Sequence, residues 1–392
     1  MLTATVLLKP GKESRLALGH LWVYAGEIAS LDGHVDDGGI VDVRSLRGQW
    51  LGRGFINRKS TLTVRLLTTR PEEIGREFFQ KRLAEAIAYR RRIVNGTSAY
   101  RVVYGEGDQL PGLIVDRYGD IAVLQTLALG MDIRKHTLVD LINELVHPSA
   151  VYERNDPGVR RLEGLASQTG WLSGGAPTEI EVQEGRASFL TDIARGQKTG
   201  FFLDQRENRL AIGRLVKDAD VFDAFCYTGG FAVHAALGGA KHVTAVDISK
   251  EAIDLAKGNA QRNGVADRCT FMVANAFDEL RRQVSTGTRY DVVILDPPAF
   301  AKTKDSLPRA VAGYKEINLR ALKLLRPGGI LVSCSCSYHM QEALLIEVVA
   351  SAASDAHRTV RLMERRGQAQ DHPIHPAMPE TRYLTCLIAQ VA

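Results

Sequence analysis

The chain has 392 residues, of which 45% are hydrophobic and 24% charged, and it carries a net charge of +5 at pH 7. That balance excludes a disordered or collagen-like chain and fits two or three folded domains. No apolar run approaches the ~18 residues of a membrane helix, no basic stretch precedes the first apolar residues as in a secretory signal, and five cysteines make no disulfide framework, so a cytoplasmic protein with no membrane partner is expected.

The first domain is expected over residues 1–72. Period-two runs at 38–43, 46–54 and 61–67, with glycines between them, predict short strands of a small β-barrel or sandwich. A central α+β domain follows over 73–190. Its helix spans about 77–94, with Phe79, Leu83, Ala86 and Ile87 on one face and Arg90-Arg91-Arg92 read as a solvated run. Strands are expected at 101–104, 113–116 and 121–125, then a helix at 134–145. From about 219, within a third domain spanning 191–392, strands and helices alternate strictly. Strands at 221–225, 242–247, 269–273, 291–295 and 330–333 predict a doubly wound α/β sheet of Rossmann type. Positive charge gathers at the chain's ends: 10 Lys/Arg against 7 Asp/Glu over 1–72 and 26 against 22 over 191–392, but 14 against 16 between them.

In such a sheet the ligand lies beyond the carboxyl ends of the strands. The first strand leads through Asp223, Phe225, Tyr227, Thr228, Gly229 and Gly230, a turn that lets backbone approach a ligand. The second ends at Asp247-Ile248, where a carboxylate can accept from ribose hydroxyls. The third is followed by Asn275-Ala276, suited to an adenine edge. Two adjacent glycines are not G-x-G-x-x-G, which disfavours a dinucleotide. Each residue alone has a plain structural reading, a tight turn or a helix cap; together they predict an adenosine-containing cofactor.

The fourth strand ends in Asp296-Pro297-Pro298, a rigid polar corner suited to a flat base. The fifth ends in Ser333-Cys334-Ser335-Cys336-Ser337. Carbon-5 of cytosine is a poor nucleophile, and thiolate addition at carbon-6 activates it. Cys336 lies further along the strand than Cys334 and so nearer the cleft; Cys334 reads as core. Asp296 can hydrogen-bond the ring nitrogen N3. A zinc site on Cys334, Cys336 and His339 lacks a second ligand cluster and is disfavoured.

These residues resemble the bacterial large-subunit ribosomal RNA (cytosine-5) methyltransferase I family. The resemblance runs through Gln197-Lys198-Thr199-Gly200-Phe201-Phe202-Leu203-Asp204-Gln205-Arg206-Glu207-Asn208-Arg209, the Phe225–Phe231 turn, Asp296-Pro297-Pro298, Gly313-Tyr314-Lys315-Glu316-Ile317-Asn318 and Ser335-Cys336-Ser337. Gly19–Tyr24 with Gly52-Arg53-Gly54 is similar to the family's PUA-type RNA-binding domain. The resemblance implies S-adenosyl-L-methionine as cofactor, 23S ribosomal RNA as substrate, Cys336 as nucleophile and Asp296 as the acid facing the base. It adds Lys198, Thr199, Gly200, Phe202, Asp204 and Arg206 to the cofactor site. No thiol follows the fourth-strand prolines, so the acceptor of the carbon-5 proton is not identified. A homodimer is compatible with this reading.

Trp22, Arg53, Arg65, Pro297, Pro298 and Lys315 are candidates for RNA contact, though Trp in a small β-domain usually packs in the core. Asp371-His372-Pro373-Ile374-His375 reads as a connector that can also cover the target base. Rival functions are methylation of a base nitrogen such as guanine's, a non-catalytic RNA-binding or assembly factor, and an NAD-linked oxidoreductase.

Overall fold

The alternating runs near the N-terminus become strands because each sends one face of Val and Leu into a shared core. In the computed structural model, which describes residues 3–301 and 303–392, six strands form one sheet: Thr5–Leu8, Trp22–Tyr24, Ile28–Asp32, Ile40–Ser45, Trp50–Ile56 and Leu62–Thr68. Met1 and Leu2, which open the expected first domain, and Lys302 lie outside the described residues. Val6, Leu8, Val41, Val43, Val64 and Leu66 fill the core of this sheet. Gly54 is required by strand approach, since a Cβ there would stand 1.9 Å from the Arg65 carbonyl oxygen.

By its internal contacts the chain divides into two units. The first comprises the chain up to Ile180, Thr191–Leu203 and Gln370–Thr381. Besides the six-stranded sheet it holds a five-stranded one built from Ala99–Tyr104, Leu113–Tyr118, Ile121–Thr126, Ala150–Asn155 and Gln168–Ser173. Helices Arg76–Ile93 and Lys135–Val146 share its core through Phe79, Leu83, Leu138 and Ile142. Arg90 departs from the solvated run expected of it. It is buried, its guanidinium donates to both oxygens of Asp108, at 2.5 and 2.7 Å, and to the Asp371 carbonyl at 2.7 Å. Asp371 also accepts from the Arg101 amide at 2.8 Å, and His372 is buried beside Tyr104. The 371–375 segment is thus anchored as a connector within this unit.

The second unit comprises Glu181–Leu190, Asp204–Ala369 and Arg382–Ala392. Its strands are β1 (Asp220–Ala224), β2 (His242–Asp247), β3 (Cys269–Val273), β4 (Tyr290–Leu295), β5 (Leu325–Ser335), β6 (Val360–Arg366) and β7 (Thr385–Val391). They lie in the order β3-β2-β1-β4-β5-β7-β6. The first five run parallel, as the alternation predicts; β7 is antiparallel to β5, and β6 to β7. The order reverses between β1 and β4, which is where a crevice opens in this class of sheet. Helices are α1 (Arg206–Ile212), α2 (Gly230–Leu237), α3 (Lys250–Arg262), α4 (Ala276–Ser285), α5 (Leu307–Leu324) and α6 (Glu342–Asp355). Leu280, Tyr314, Ile317, Ala321, Leu345 and Val349 from α4, α5 and α6 make one large core with β1, β4 and β5. Among the described residues no helix is long and apolar enough to cross a membrane.

A buried ionic triad ties α1 and α2 to the end of strand Glu179–Glu184, which pairs with strand Ala187–Asp192 in a two-stranded hairpin. Glu184 accepts from Arg209 Nε at 2.6 Å and Nη2 at 2.5 Å, and pairs with His234 Nε2 at 2.9 Å. Burial alone raises the Glu184 carboxyl, but Arg209, by charge and hydrogen bond, and then His234 outweigh it and hold it down at about 2. A carboxylate depressed in the folded state contributes stability above its unfolded value of 4.5 and loses it as pH falls toward about 2. Removing one partner of such a pair strands the others, so Glu184→Gln is predicted to cost about 3 kcal/mol at neutral pH. Urea melts of both proteins from pH 7 down to pH 2 check this. The wild type is expected to lose stability across the acid limb, and the variant to lose less there.

Candidate active site

The turn after β1 is built on unusual backbone. Phe225 (φ 66°), Tyr227 (φ 48°) and Gly229 (φ 80°) are all left-handed. For the two aromatic residues this costs roughly 1–2 kcal/mol each, and such strain persists only where neighbours over-determine it. Here Asp247, at the end of β2, is the main restraint: Oδ2 accepts from the Tyr227 amide and Oδ1 from the Ser249 amide, both at 2.9 Å. The Cys226 amide donates to the Val246 carbonyl at 2.9 Å, and Asn259 Nδ2 to the Thr228 carbonyl at 3.0 Å. At Gly229 a Cβ would press to 3.1 Å from Ala256 Cβ on α3, so both conformation and space select glycine.

Beneath this turn Asp223 is completely buried, and neither carboxylate oxygen has a well-formed hydrogen bond. Burial pushes its carboxyl well above the usual range; the nearby charges of Asp296 and Asp247 push the same way, and the Ala232 amide compensates only in part. The Thr228 hydroxyl is likewise buried without a partner. Ile248, next to Asp247, is 71% exposed, a large apolar side chain with nothing over it. Asn275 caps α4: its Oδ1 accepts from the Phe277 and Asp278 amides at 2.9 and 3.4 Å, which leaves its NH2 to face outward; Ala276 behind it is buried. An unsatisfied acid for an ammonium group, a carboxylate for a diol, an apolar side chain for a base face and an amide for a base edge form a donor set that fits S-adenosylmethionine.

Across the switch point, Asp296 follows β4 directly. Its Oδ1 accepts from Gln205 Nε2 at 2.8 Å; Gln205 Oε1 accepts from Asn208 Nδ2 at 2.6 Å; Asn208 Oδ1 accepts from Arg366 Nε at 3.0 Å. Gln205 and Asn208 are buried, so this amide chain orients the carboxylate. Reading single residues missed both, although they stand inside the Gln197–Arg209 stretch that signals the family. Pro297 is buried and Pro298 exposed. Cys336 lies one residue beyond β5, half-buried, its Sγ 3.9 Å from the Pro297 carbonyl oxygen. Cys334 is fully buried and directly opposite Cys386 on β7, and its thiol is pushed well above the usual range by the hydrogen bond to Cys386 and by burial. An aromatic run joins the two halves of the site: Phe225 to Phe277 at 6.2 Å, Phe277 to Phe300 at 5.7 Å, and Phe300 to Tyr314 at 4.7 Å between ring centroids.

The other expected site residues divide between the two units. Asp204 and Arg206 belong to this unit and are buried; Asp204 Oδ2 accepts from the Tyr383 hydroxyl at 2.6 Å. Lys198, Thr199, Gly200 and Phe202 belong to the first unit. There Lys198 (φ 55°) stands 4.5 Å from the centre of the Phe202 ring, and the Thr199 hydroxyl donates to Asp116 Oδ2 at 2.6 Å. Lys315 pairs with Asp355 at 2.8 Å. Of the RNA candidates in the first unit, Trp22 donates to Glu106 at 3.0 Å, Arg53 to Asp42 at 2.7 Å, and Arg65 pairs with Glu163 at 2.9 Å. All three therefore have intramolecular partners.

An acid whose folded pKa is raised costs stability increasingly as pH climbs above its unfolded value of 3.8. Asp223→Asn is therefore predicted to raise the melting temperature of the ligand-free protein at pH 7. The same change is expected to weaken S-adenosylmethionine binding by about tenfold or more, roughly 1.4 kcal/mol. Thermal melts and titration calorimetry on one preparation read both effects.

Comparison with known proteins agrees with this geometry. The S-adenosylmethionine-dependent methyltransferase family matches residues 160–378, and a PUA-like domain matches residues 6–69. The Ribosomal RNA large subunit methyltransferase I of Alteromonas mediterranea is 42% identical, covering 100% of this chain and 99% of the relative. The protein of the same name from Shewanella amazonensis is 42% identical over 98% of this chain and 99% of its own. Among solved structures, SMU.776, a methyltransferase complexed with SAH, superposes with a TM-score of 0.85 at 21% identity, covering 100% of both chains, a likeness of fold. The chain belongs to the ribosomal RNA large subunit methyltransferase I family of S-adenosylmethionine-dependent methyltransferases.

Proposed function

We propose that this enzyme methylates carbon-5 of a cytosine in 23S ribosomal RNA, with Cys336 as covalent nucleophile. The observation that carries the proposal is the position of the Cys336 sulfur, past the end of β5 and against the Pro297 carbonyl, beside an Asp296 held by Gln205. The names of the full-length relatives support a ribosomal RNA substrate. Bound S-adenosylmethionine supplies an electrophilic methyl group.

The Cys336 thiolate adds to carbon-6 of the pyrimidine, forming a carbon–sulfur bond and displacing the ring's 5,6 double-bond electrons toward carbon-5 and N3. For this step Asp296 must carry a proton: as the carboxylic acid it donates to N3, passing the proton as charge develops there and ending as the carboxylate, and its fixed orientation favours that transfer. Once carbon-5 is methylated, loss of its proton to a base returns an electron pair to the ring and expels the thiolate. Cys334 cannot serve in place of Cys336, because it is buried and its thiol is held protonated. A target base must leave its stack to reach a strand-end pocket, at a cost of a few kcal/mol. In the same reading residues 1–72 form an RNA-binding domain, 73–190 a central domain and 191–392 the transferase. Sedimentation equilibrium tests the homodimer expectation.

Cys336→Ala is predicted to lower methyl transfer at least about a thousandfold, roughly 4 kcal/mol of barrier. RNA carrying 5-fluorocytidine is expected to trap the wild type, and not the variant, as a denaturation-resistant adduct. Normal transfer by the variant would favour methylation of a base nitrogen. Bisulfite mapping of ribosomal RNA with and without the protein locates the nucleotide. RNA affinity is also expected to fall as salt rises, about twentyfold between ~50 and ~200 mM if three phosphates of a single strand are neutralised; a flat filter-binding profile would count against an RNA substrate.

A further inference from the structure

The β5–β7 ladder ends at the Ser335–Thr385 pair, one residue before Cys336. What replaces the ladder is a buried hydroxyl chain on α5. Ser335 Oγ donates to the Tyr314 hydroxyl at 2.9 Å; the Tyr314 hydroxyl lies 3.3 Å from Ser337 Oγ; and the Ser337 amide donates back to Ser335 Oγ at 3.3 Å. Tyr314 is completely buried, Ser335 and Ser337 nearly so, and the Tyr314 ring is fixed against Phe300. The two serines turn to one side, toward α5, and Cys336 between them reaches the Pro297 carbonyl. Ser337 Oγ also accepts from the Ala301 amide at 3.3 Å, which ties the loop after Asp296 to the same hydroxyls.

We propose that Tyr314 is a positioning residue for Cys336, its hydroxyl locking Ser335 and Ser337 so that the intervening sulfur is aimed at the target base. This rests on Cys336 being the nucleophile. The buried hydroxyl serves as a hydrogen-bonding group, not as a proton donor: burial pushes the Tyr314 phenol up to about 12, despite its bonds to Ser335 and Ser337. A misaimed nucleophile loses rate without losing substrate binding, and a displacement near 1 Å can cost about a hundredfold.

Tyr314→Phe keeps the ring and removes the hydroxyl. It is expected to lower kcat about 10- to 100-fold, with KM for RNA and Kd for S-adenosylmethionine changed less than about twofold. Ser337→Ala, a second route to the same break, is expected to lower kcat in the same way. The double variant should lose little more than the worse single, because one chain has been cut twice. Unchanged kcat in both singles, or fully additive losses, would overturn the proposal. Labelling of Cys336 by iodoacetamide, followed by peptide mass, is independent of turnover and is expected to speed up about threefold or more in Tyr314→Phe as the sulfur is released. An unchanged labelling rate would also overturn it. If Cys336→Ala retained full activity, the covalent reading would fail, whereas a faster labelling rate would still show that Tyr314 holds this side chain.

Discussion

Where a parallel sheet runs out, the ladder stops and the next backbone groups need other partners. Three features at the strand ends of the second unit answer that constraint. Asp247 supplies acceptors to two amides and so holds a turn with left-handed Phe225 and Tyr227. Asn275 does the same for the first amides of α4. The Ser335–Tyr314–Ser337 chain does it past β5. Side chains that complete the backbone at the strand ends also neighbour the candidate site residues. Polar satisfaction and site construction are therefore one problem solved by the same residues.

The unit treats its buried acids in opposite ways. Glu184 is enclosed by Arg209 and His234, stays ionised, and binds hairpin to helices. Asp223 is enclosed by apolar residues and two other carboxylates, and is left unsatisfied. The first arrangement stabilises the folded chain; the second weakens it, the kind of cost that candidate binding sites carry. The two acids lie in the same unit and share a charge type, so the difference comes from the cation placed beside one and withheld from the other.

Much of this was legible in the sequence because it depends on order along the chain. Strand–helix alternation located β1 to β5 to within a few residues, apart from an early start to β5, and reading the carboxyl ends of the strands singled out Asp247, Asn275, Asp296 and Cys336. The distinction between Cys334 and Cys336 followed from which comes later on one strand, and their different burial matches it. What escaped depends on partners far away in sequence. Gln205 meets Asp296 across 91 residues, and Arg90 is drawn inside by Asp108 and Asp371 rather than lying with Arg91 and Arg92 on the surface. Aromatic residues rarely adopt positive φ, so nothing in the types of Phe225 and Tyr227 announced their conformation. The antiparallel β6 and β7 follow the last predicted strand, where the α/β alternation gives out.

The cap at the start of α4 has one more effect. An amide has an acceptor end and a donor end, and in Asn275 the acceptor is spent on the Phe277 and Asp278 amides. The side chain cannot flip without uncapping the helix, so it presents only N–H outward. A purine edge meeting it must offer a lone pair. Where Asn275 meets the cofactor's adenine, as we propose, a purine carrying hydrogen at that ring position would set donor against donor, and the helix cap would tell an amino-purine from an oxo-purine.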